Sequence, residues 1–360
     1  MPGGVDDPSA PSGGNTYDRR VCRDLPRIGW QVHEYAVAGA WPQPPATARA
    51  ELARVLGESA DGAVVLLDGI VACAVPDIVV PEAERLRLVV LVHLPLGDET
   101  GTAPGVAAAL NAGERRTLQA AAAVVATSDW AAARLVAHHG LDPRRVHVAA
   151  PGADAEPLAA GTATGSGCTP SLLCVASVTP RKGQLQLVES LAAVKDLAWN
   201  CVCVGGLGQD PGYVTRLREL IERYRLGDRV HLVGPRTGPE LNASYAGADL
   251  LLLASHAETY GMVATEALAR GVPVLATAVG GLPEAVGLAP GKGVPGILVP
   301  PQDPAAFASA LRLWLGEPAE RRRSKEAAMA RRTALAGWDT TSRSLAAVLE
   351  ELRREPLEAT

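Results

Sequence analysis

The sequence predicts an α/β protein built from two doubly wound, Rossmann-like parallel-sheet domains that face a central cleft. Short runs rich in Val and Leu alternate with longer Ala/Leu/Arg segments through most of the 360 residues. The runs are apolar on both faces, which is typical of strands buried between helical layers. Eleven such runs are too many for one comfortable sheet. Ligands of such sheets bind beyond the carboxyl ends of the strands, so we expect the site in the cleft.

The candidate strands fall into two groups separated by a linker. In the first half they are 30–37, 63–68, 88–93, 123–126 and 146–149, and in the second 172–178, 199–204, 229–233, 249–253, 273–276 and 297–299. Residues 151–170, rich in Pro, Gly, Thr and Ser, are typical of a linker. We therefore predict an N-terminal domain over 1–158 and a C-terminal domain over 165–337. A helix over 338–360, with a stripe of Leu345, Leu349 and Leu352, is expected to pack back toward the first domain.

Bulk composition excludes several classes of protein. Hydrophobic residues make up 48% and charged residues 20%, so an ordinary core can form. The net charge of −5 gives no overall basic field for nucleic acid. The six cysteines contain no Cys-x2-Cys pair, and we interpret them as buried thiols of a reduced, cytoplasmic protein. No window resembles a signal peptide or a membrane span.

The most informative motif is a pair of glutamates eight positions apart. Glu258 lies in the loop after an apolar run and Glu266 on the helix that follows. The helix start between them offers free backbone N–H groups that can hold a phosphate. Carboxylates beside an anion site suit a nucleotide sugar. Alternatively, Glu258 only favours the helix dipole, and Glu266 only forms a surface ion pair with Arg270.

A basic turn follows the first strand of the second half. In Thr179-Pro-Arg-Lys-Gly183, Arg181 and Lys182 stand where a helix is expected to open, although cations there oppose the helix dipole by about 0.3–1 kcal/mol each. A bound anion would remove this conflict. The alternative is that both side chains extend into water, and we favour the anion for Lys182.

Three weaker signals accompany these motifs. Gly13 and Gly14 precede a predicted helix and form a second possible anion cradle. His93 ends a predicted parallel strand, where it is expected to face the cleft. Gly280-Gly281 allows a ligand close to the backbone, or is a simple turn.

Metal and dinucleotide motifs are missing from the sequence. No Asp-x-Asp ends a strand and no His/Cys cluster occurs, so we predict no metal site. Gly205-Gly206-Leu207-Gly208 lacks the spacing of the dinucleotide fingerprint.

In order and spacing, these motifs resemble the retaining GT-B glycosyltransferases of family 4. The resemblance covers nearly the whole chain and is strongest over 171–300, where Arg229-Val-His-Leu-Val-Gly234 and Gly280-Gly-Leu-Pro-Glu284 also match. It implies an N-terminal acceptor domain and a C-terminal domain that binds a nucleotide-diphosphate sugar. It also implies transfer with retention and without a metal cofactor, in which the leaving diphosphate helps to deprotonate the acceptor.

The same resemblance assigns roles to individual residues. Lys182 would pair with the donor diphosphate, Glu258 would contact the donor sugar, and His93 would contact the transferred sugar; these three form the predicted catalytic set. Glu266 would accept hydrogen bonds from the ribose. The remaining donor contacts would come from Gly13, Gly14, Arg181, Tyr260, Gly261, Met262 and Val263.

Two departures from the family are visible. Ala176-Ser177 stand where the family often has Gly-Arg, and we expect Arg181 to replace the missing arginine. The family also has a buried first strand before the Gly-Gly loop, but residues 1–11 are rich in Pro, Gly and Asp and cannot form a central strand. Either the true start lies upstream or the protein lacks that strand, and we expect a poorly supported acceptor domain.

The acceptor and two other functions stay open. The acceptor is a small metabolite, a lipid or a glycan. Arg19, Arg23 and Arg27, spaced by four, either meet an anionic acceptor or membrane surface or form a solvated face, which we favour. The alternatives to transfer are a GT-B nucleotide-sugar epimerase and a non-catalytic nucleotide-sugar-binding protein.

Overall fold

The computed structural model describes residues 1–98, 103–162 and 169–354, and the chain divides into two compact units. Unit 1 comprises Met1–Asp7, Ser12–Gly152 and the segment that begins at Trp338; unit 2 comprises Pro8–Pro11 and Ala153–Gly337. The division falls within the predicted linker, part of which (163–168, with Cys168) lies outside the described residues. The same holds for 355–360 of the predicted C-terminal helix.

Unit 1 is built on a parallel sheet. Among its described residues four strands pair in sequence order, β1 (Val64–Asp68), β2 (Arg87–Val92), β3 (Ala123–Ala126) and β4 (Val146–Val148). The register sets Asp68 beside Leu91 and Val92 beside Ala126, so the carboxyl ends of the strands lie together. β2 and β3 are buried along nearly their whole length, which explains why their sequences are apolar without alternation.

Unit 2 has a larger parallel sheet. Its described strands are β5 (Ser171–Val175), β6 (Asn200–Val204), β7 (Val230–Gly234), β8 (Leu250–Leu253), β9 (Val274–Thr277) and β10 (Gly296–Val299). Their spatial order is β10-β9-β8-β5-β6-β7. Because β5 has β6 on one side and β8 on the other, the strand order reverses there. The loops after β5 and β8 therefore leave the same edge of the sheet side by side, where ligands of doubly wound sheets bind.

Helices fill the connections between strands. In chain order they are α1 (Gly13–Asp24), α2 (Ala46–Gly57), α3 (Gly69–Ala72), α4 (Pro76–Glu82), α5 (Pro104–Ala120), α6 (Asp129–His139), α7 (Gln184–Ala192), α8 (Pro211–Arg223), α9 (Gly238–Ala246), α10 (Met262–Ala269), α11 (Leu282–Val286), α12 (Pro304–Gly316), α13 (Pro318–Arg332) and α14 (Trp338–Arg354). None of these helices combines the length and apolar character that crossing a bilayer requires, within the part of the chain that is described.

The stripe predicted on the C-terminal helix is buried. Leu345, Leu349 and Leu352 of α14 are at most 8% exposed, and α14 packs against α1 within unit 1. The ring of Trp338 at the start of α14 lies edge-on to Tyr17 of α1, with 5.6 Å between ring centroids.

The predicted strand over 30–37 is wrong. Most of this segment is exposed, and its only ladder contact in the described structure is an isolated bridge between Pro2 and Val37. The Gly3 amide donates to the Val37 carbonyl at 2.8 Å, and the Val37 amide donates to the Met1 carbonyl at 3.0 Å. Residues with strand propensity form a strand only when they pair with a neighbouring strand. The Pro/Gly-rich segment at 1–3 pairs with residue 37 over too short a length to form one.

β1 lies at an edge of the first sheet. Among the described strands β1 pairs only with β2, and Val64, Val65 and Leu66 are partly exposed. Its last residue, Asp68, is buried and caps α3 by accepting a hydrogen bond from the Ile70 amide at 2.7 Å. The sheet thus has a weak edge and a well-buried centre in β2 and β3.

Candidate functional site

A charge cluster lies at the strand reversal of unit 2. Lys182 belongs to the 3₁₀ turn Pro180–Lys182 after β5, and Glu258 lies in the loop after β8. The Lys182 ammonium donates to Glu258 Oε1 at 2.5 Å, while the Arg181 guanidinium lies 3.7 Å from Oε2. The structure therefore brings together the basic turn and the first glutamate of the motif, as residues on adjacent strand ends should be.

Two glycines allow these loops to approach each other. Gly183 has φ +67°, and a Cβ there would lie 2.0 Å from the Ala254 carbonyl oxygen. Gly280 has φ +56°, and its Cβ would lie 1.7 Å from the Glu258 carbonyl oxygen. Only glycine satisfies both conditions at either position. The close approach at Gly280 is thus to the backbone of Glu258 itself, which also accepts a hydrogen bond from Gly281 at 3.0 Å.

Glu258 is buried but held in its charged form. Burial by itself raises the pKa of Glu258, but the charges of Lys182 and Arg181, together with hydrogen bonds, hold this pKa below its ordinary value. The Ser255 hydroxyl donates to Oε1 at 3.0 Å, and the Ser255 carbonyl accepts from the Thr277 hydroxyl at 2.6 Å. The carboxylate is therefore fixed as well as charged.

The cluster also explains how Arg181 and Lys182 are accommodated at a helix start, where their charges oppose the helix dipole. Side-chain exposure is only 16% for Arg181 and 17% for Lys182, so neither extends into water. The negative charge that they require comes from Glu258 rather than from a ligand alone. Two cations therefore lie beside one carboxylate at this edge of the sheet, and positive charge in such a place attracts an anion.

The second glutamate of the motif is held differently. Glu266 of α10 accepts a hydrogen bond from the buried Tyr245 hydroxyl at 2.7 Å. Burial raises the pKa of Glu266, and the Tyr245 hydrogen bond and Arg270 only partly offset that rise. Arg270 donates to the backbone carbonyl of Glu266 at 2.9 Å and pairs with the carboxylate of Glu156 at 3.0 Å. The surface ion pair considered for Glu266 and Arg270 is therefore wrong.

The remaining donor-site predictions fall at the start of α10. Gly261 precedes the helix with φ +99°, and no side chain caps it in the described structure. Tyr260, Gly261, Met262 and Val263 are all partly buried. They lie between the two glutamates, with Glu266 one turn into the helix.

A second cluster lies in unit 1, around His93. Gly13 and Gly14 form the first turn of α1, which Ser12 caps by accepting from the Asn15 amide at 3.1 Å. A Cβ on Gly14 would lie 3.1 Å from the His93 ring, so this glycine is packed against the histidine. His93 Nε2 lies 2.8 Å from Oδ1 of Asp18, one turn further along α1.

Asp18 and Asp68 are the functional candidates that sequence reasoning missed. Asp68 ends β1 as His93 follows β2, and these strands pair, so the strand-end rule that found His93 also applied to Asp68. Asp18 carries no comparable signal, because its place follows only from how α1 packs.

The unit 1 cluster also bears on metal binding. One ligand atom from each of Asp18, Asp68 and His93 can be chosen so that all three lie within 4.8 Å of one another. Ligands bound at about 2.1 Å to one tetrahedral ion stand roughly 3.4 Å apart. The 2.8 Å between Nε2 and Oδ1 is instead a hydrogen-bond distance. The described geometry is that of a hydrogen-bonded group, and metal independence stays a prediction.

The arginines at 19, 23 and 27 are paired within unit 1, although Arg27 lies in the 3₁₀ turn Leu25–Ile28 after α1 and not on the predicted helix face. Arg19 forms ion pairs with Asp6 and Glu34, and Arg23 and Arg27 both pair with Asp24, at 2.8 and 3.0 Å. These pairs favour the solvated face over a surface that meets an anionic acceptor or membrane.

Comparison with known proteins gives two family matches. Residues 11–157 match the family described as Glycosyltransferase Family 4, and residues 167–331 match Glycosyl transferases group 1. A D-inositol 3-phosphate glycosyltransferase of Kineococcus radiotolerans is 35% identical over 264 residues, which are 67% of this chain and 59% of that protein. D-inositol 3-phosphate glycosyltransferase 1 of Catenulispora acidiphila is 36% identical over 241 residues, 62% and 55% of the two chains. The chain thus spans less than two thirds of either relative.

Solved structures show the same fold. Sucrose-phosphate synthase from Thermosynechococcus elongatus superposes with a TM-score of 0.74 at 23% identity, over 97% of each chain. Anabaena Alr3699/HepE in complex with UDP-glucose superposes with a TM-score of 0.74 at 18% identity, over 95% of this chain and 97% of that one. Two parallel-sheet units of this kind define a GT-B protein, which confirms the predicted fold class. The two family matches confirm the predicted resemblance to the glycosyltransferases of family 4.

Proposed function

We propose that this protein transfers a sugar from a nucleotide-diphosphate sugar to an acceptor hydroxyl, with retention of configuration and without a metal. The observation that carries the proposal is the cluster of Arg181, Lys182 and Glu258. It offers positive charge for a diphosphate and a fixed carboxylate for sugar hydroxyls, at the edge of the sheet where such ligands bind. Charge that stabilises the leaving diphosphate lowers the barrier without a covalent step by the protein.

The proposed roles follow the two clusters. Lys182 neutralises the diphosphate, Glu258 accepts from the donor sugar and Glu266 accepts from the ribose. Backbone groups of 260–263 contribute the remaining donor contacts in unit 2. In unit 1, Gly13 and Gly14 approach the phosphate and His93 contacts the transferred sugar. The leaving diphosphate takes the acceptor proton in this scheme.

Arg181 is proposed to replace the arginine that the family often has at the position of Ser177. Its guanidinium also donates to the Ala257 carbonyl at 3.3 Å, which keeps it beside Glu258. Arg181→Ala should weaken binding of a nucleoside diphosphate by about tenfold, since a charge-assisted contact contributes about 1.5–3 kcal/mol. Unchanged affinity in a titration calorimeter would remove Arg181 from the site.

The acceptor proposed for first testing is an inositol phosphate, because two relatives carry that activity in their names. A UDP-sugar is the first donor to test, because Alr3699/HepE is described in complex with UDP-glucose. We place the reaction in the cytoplasm, in line with the five free thiols among the described cysteines.

A thermal-shift panel of UDP, GDP, ADP and dTDP tests the donor site. A nucleotide at one hundred times its dissociation constant should stabilise the folded protein by about 2.7 kcal/mol. Glu266→Gln should weaken this shift, while Tyr245→Phe, which removes the neighbouring hydroxyl and keeps the carboxylate, should retain it. No shift from any nucleotide, in a protein that unfolds cooperatively, would contradict the proposal.

Release of nucleotide from the donor separates transfer from its alternatives. Release that requires an acceptor supports transfer, and nuclear magnetic resonance of the product then gives its anomeric configuration. Isomerisation of the donor without an acceptor would instead indicate an epimerase, and tight binding without turnover a binding protein. Activity that is unchanged by a chelator is expected for a metal-independent reaction.

A further inference from the structure

Residues in the first turns of α1 pack around the ring of His93. Gly14 packs against one side of the ring, where even a Cβ would come within 3.1 Å. Tyr17 meets it edge-on, with 5.1 Å between centroids. Asp18 is 6% exposed, and its Oδ1 lies 2.8 Å from Nε2. Three residues of one helix therefore limit the ring from different directions.

The carboxyl of Asp18 lies next to that of Asp68. The second oxygen of Asp18, Oδ2, is buried and has no hydrogen-bond donor among the described residues when both carboxyls are ionised. The two carboxyls form a side-chain hydrogen bond once one of them carries a proton. Asp68 cannot move away to relieve the contact, because it also caps α3 through the Ile70 amide. A proton between the two carboxyls supplies the missing donor.

We propose that Asp18 is a positioning residue for His93: its carboxylate accepts from Nε2–H, and Asp68 donates to its other oxygen when Asp68 carries a proton. The proposal rests on the proposed function, in which His93 contacts the transferred sugar. Asp18 touches neither donor nor acceptor in this scheme. It fixes the orientation and the protonated nitrogen of the ring, as the partner of a functional histidine commonly does.

The electrostatics agree with this order of protonation. Burial, with repulsion from Asp18, raises the pKa of Asp68 to about 6, against the opposing charge of His93. Burial favours protonation of Asp18 as well, but His93, the hydrogen bonds and the ammonium of Met1 outweigh it and lower the Asp18 pKa. Burial lowers the His93 pKa, but the charge and hydrogen bond of Asp18, together with the charge of Asp68, outweigh burial, so the net pKa is raised. The Tyr17 hydroxyl is engaged elsewhere, donating to the Ala149 carbonyl at 2.8 Å.

Nitrogen-15 resonances of the histidines test the arrangement in the full chain. With the His93 signals assigned from a His93→Gln variant, the wild type should show Nε2 protonated and a pKa above the ordinary value. Asp18→Asn removes the negative charge and should lower the pKa of His93. Asp24→Asn is the matched control, since Asp24 is a buried carboxylate on the same helix that pairs only with arginines among its described ion pairs. This variant should leave the His93 signals unchanged.

Variants at Asp68 give a second readout if Asp18→Asn folds poorly. Asp68→Asn can still donate to Asp18 through its amide and should keep the Nε2-protonated state. Asp68→Ala leaves Oδ2 of Asp18 without this donor, so the pKa of His93 should differ from its value in Asp68→Asn. Signals of His93 that do not respond to Asp18→Asn, or that respond equally to both Asp68 variants, would overturn the proposal. Binding of one Zn²⁺ that shifts these signals and is lost in Asp18→Asn would also overturn it, in favour of a metal site.

Kinetics then connect the arrangement to turnover. Asp18→Asn should lower kcat by at least about tenfold, since small misplacements of a substrate contact are costly, while affinity for the nucleoside diphosphate stays within about twofold. Equal kcat in Asp18→Asn and Asp24→Asn would contradict a positioning role. Failure of the proposed function is distinguishable, because the protein would then show no transfer while the resonance experiment still reports on His93.

Discussion

Replacing Lys182 with methionine isolates the charge on which Glu258 depends. Methionine keeps a similar side-chain length and removes the ammonium that lies 2.5 Å from Oε1. Glu258, only 7% exposed, would then retain Arg181 at 3.7 Å and the Ser255 hydroxyl at 3.0 Å. The substitution therefore leaves a buried carboxylate with its nearest cation removed and its weaker partners intact.

The expected loss is about 3 kcal/mol in the free energy of unfolding of unit 2. Breaking a buried ion pair costs about 3–5 kcal/mol, and we expect the lower end because Arg181 and Ser255 remain. Glu258→Gln alone should cost less, about 1–2 kcal/mol, because its amide still accepts hydrogen bonds. In the double variant the buried charge is gone, so its loss should fall below the sum of the single losses by about 2–3 kcal/mol.

The difference should disappear in acid. Because the folded-state pKa of Glu258 lies below its ordinary value of 4.5, its stabilising contribution is present above that value and is lost as pH falls through the folded-state pKa. Once Glu258 is protonated, the cation no longer matters. Wild type and Lys182→Met should therefore differ most near neutral pH and converge once the pH has fallen through the folded-state pKa of Glu258.

Native-state hydrogen exchange measures this loss separately in each unit. Peptides from β5 and β8 report on unit 2, and peptides from β2 and β3 in unit 1 serve as an internal control. A loss of about 3 kcal/mol corresponds to an increase of roughly 100-fold in exchange through global opening of unit 2. Equal protection of β5 and β8 in wild type and Lys182→Met at pH 7 would refute the reasoning, as would single losses that add in the double variant.

Three further outcomes are expected. Gly14→Ala should lower turnover by pressing on the His93 ring, while Gly105→Ala, at the equivalent position of α5 with nothing within 4 Å, should not; equal activities would show that the ring position is unimportant. Nucleotide affinity should fall as pH drops through the raised pKa of Glu266, because the acid accepts fewer hydrogen bonds, and Glu266→Gln should flatten that profile in calorimetry. Amides of β1 should exchange faster than those of β2, and equal protection would contradict the weak edge.

Strand-end residues were the part of the site that the sequence revealed best. Lys182 and Glu258 each follow an apolar run, and strands in a parallel sheet end at one edge, so their meeting could be expected without coordinates. What could not be expected was that Glu258 supplies the charge that the basic turn requires. That depends on β5 and β8 being neighbours although β6 and β7 come between them in sequence.

The strand wrongly predicted at 30–37 has the same cause: the sequence does not show which segments become neighbours. Its residues have the propensity of a strand, but propensity records how a residue fits beside a partner and does not say whether a partner exists. β1 pairs with β2 along its whole length, whereas Val37 forms only an isolated bridge with Pro2. The sequence also did not show what lies close to Gly280. The group in contact with it is the backbone of Glu258, which is distant in sequence.

Asp18 shows where sequence reasoning stops. On α1 it is one polar residue among several, followed at once by Arg19 and Arg20, and its spacing is equally consistent with an exposed ion pair. Only the fold brings this carboxylate next to Asp68, the last residue of β1, and His93, the residue after β2. A buried carboxylate facing another carboxylate disfavours folding unless a proton or a cation accompanies it. That cost gives a physical reason to expect a role for Asp18 in function.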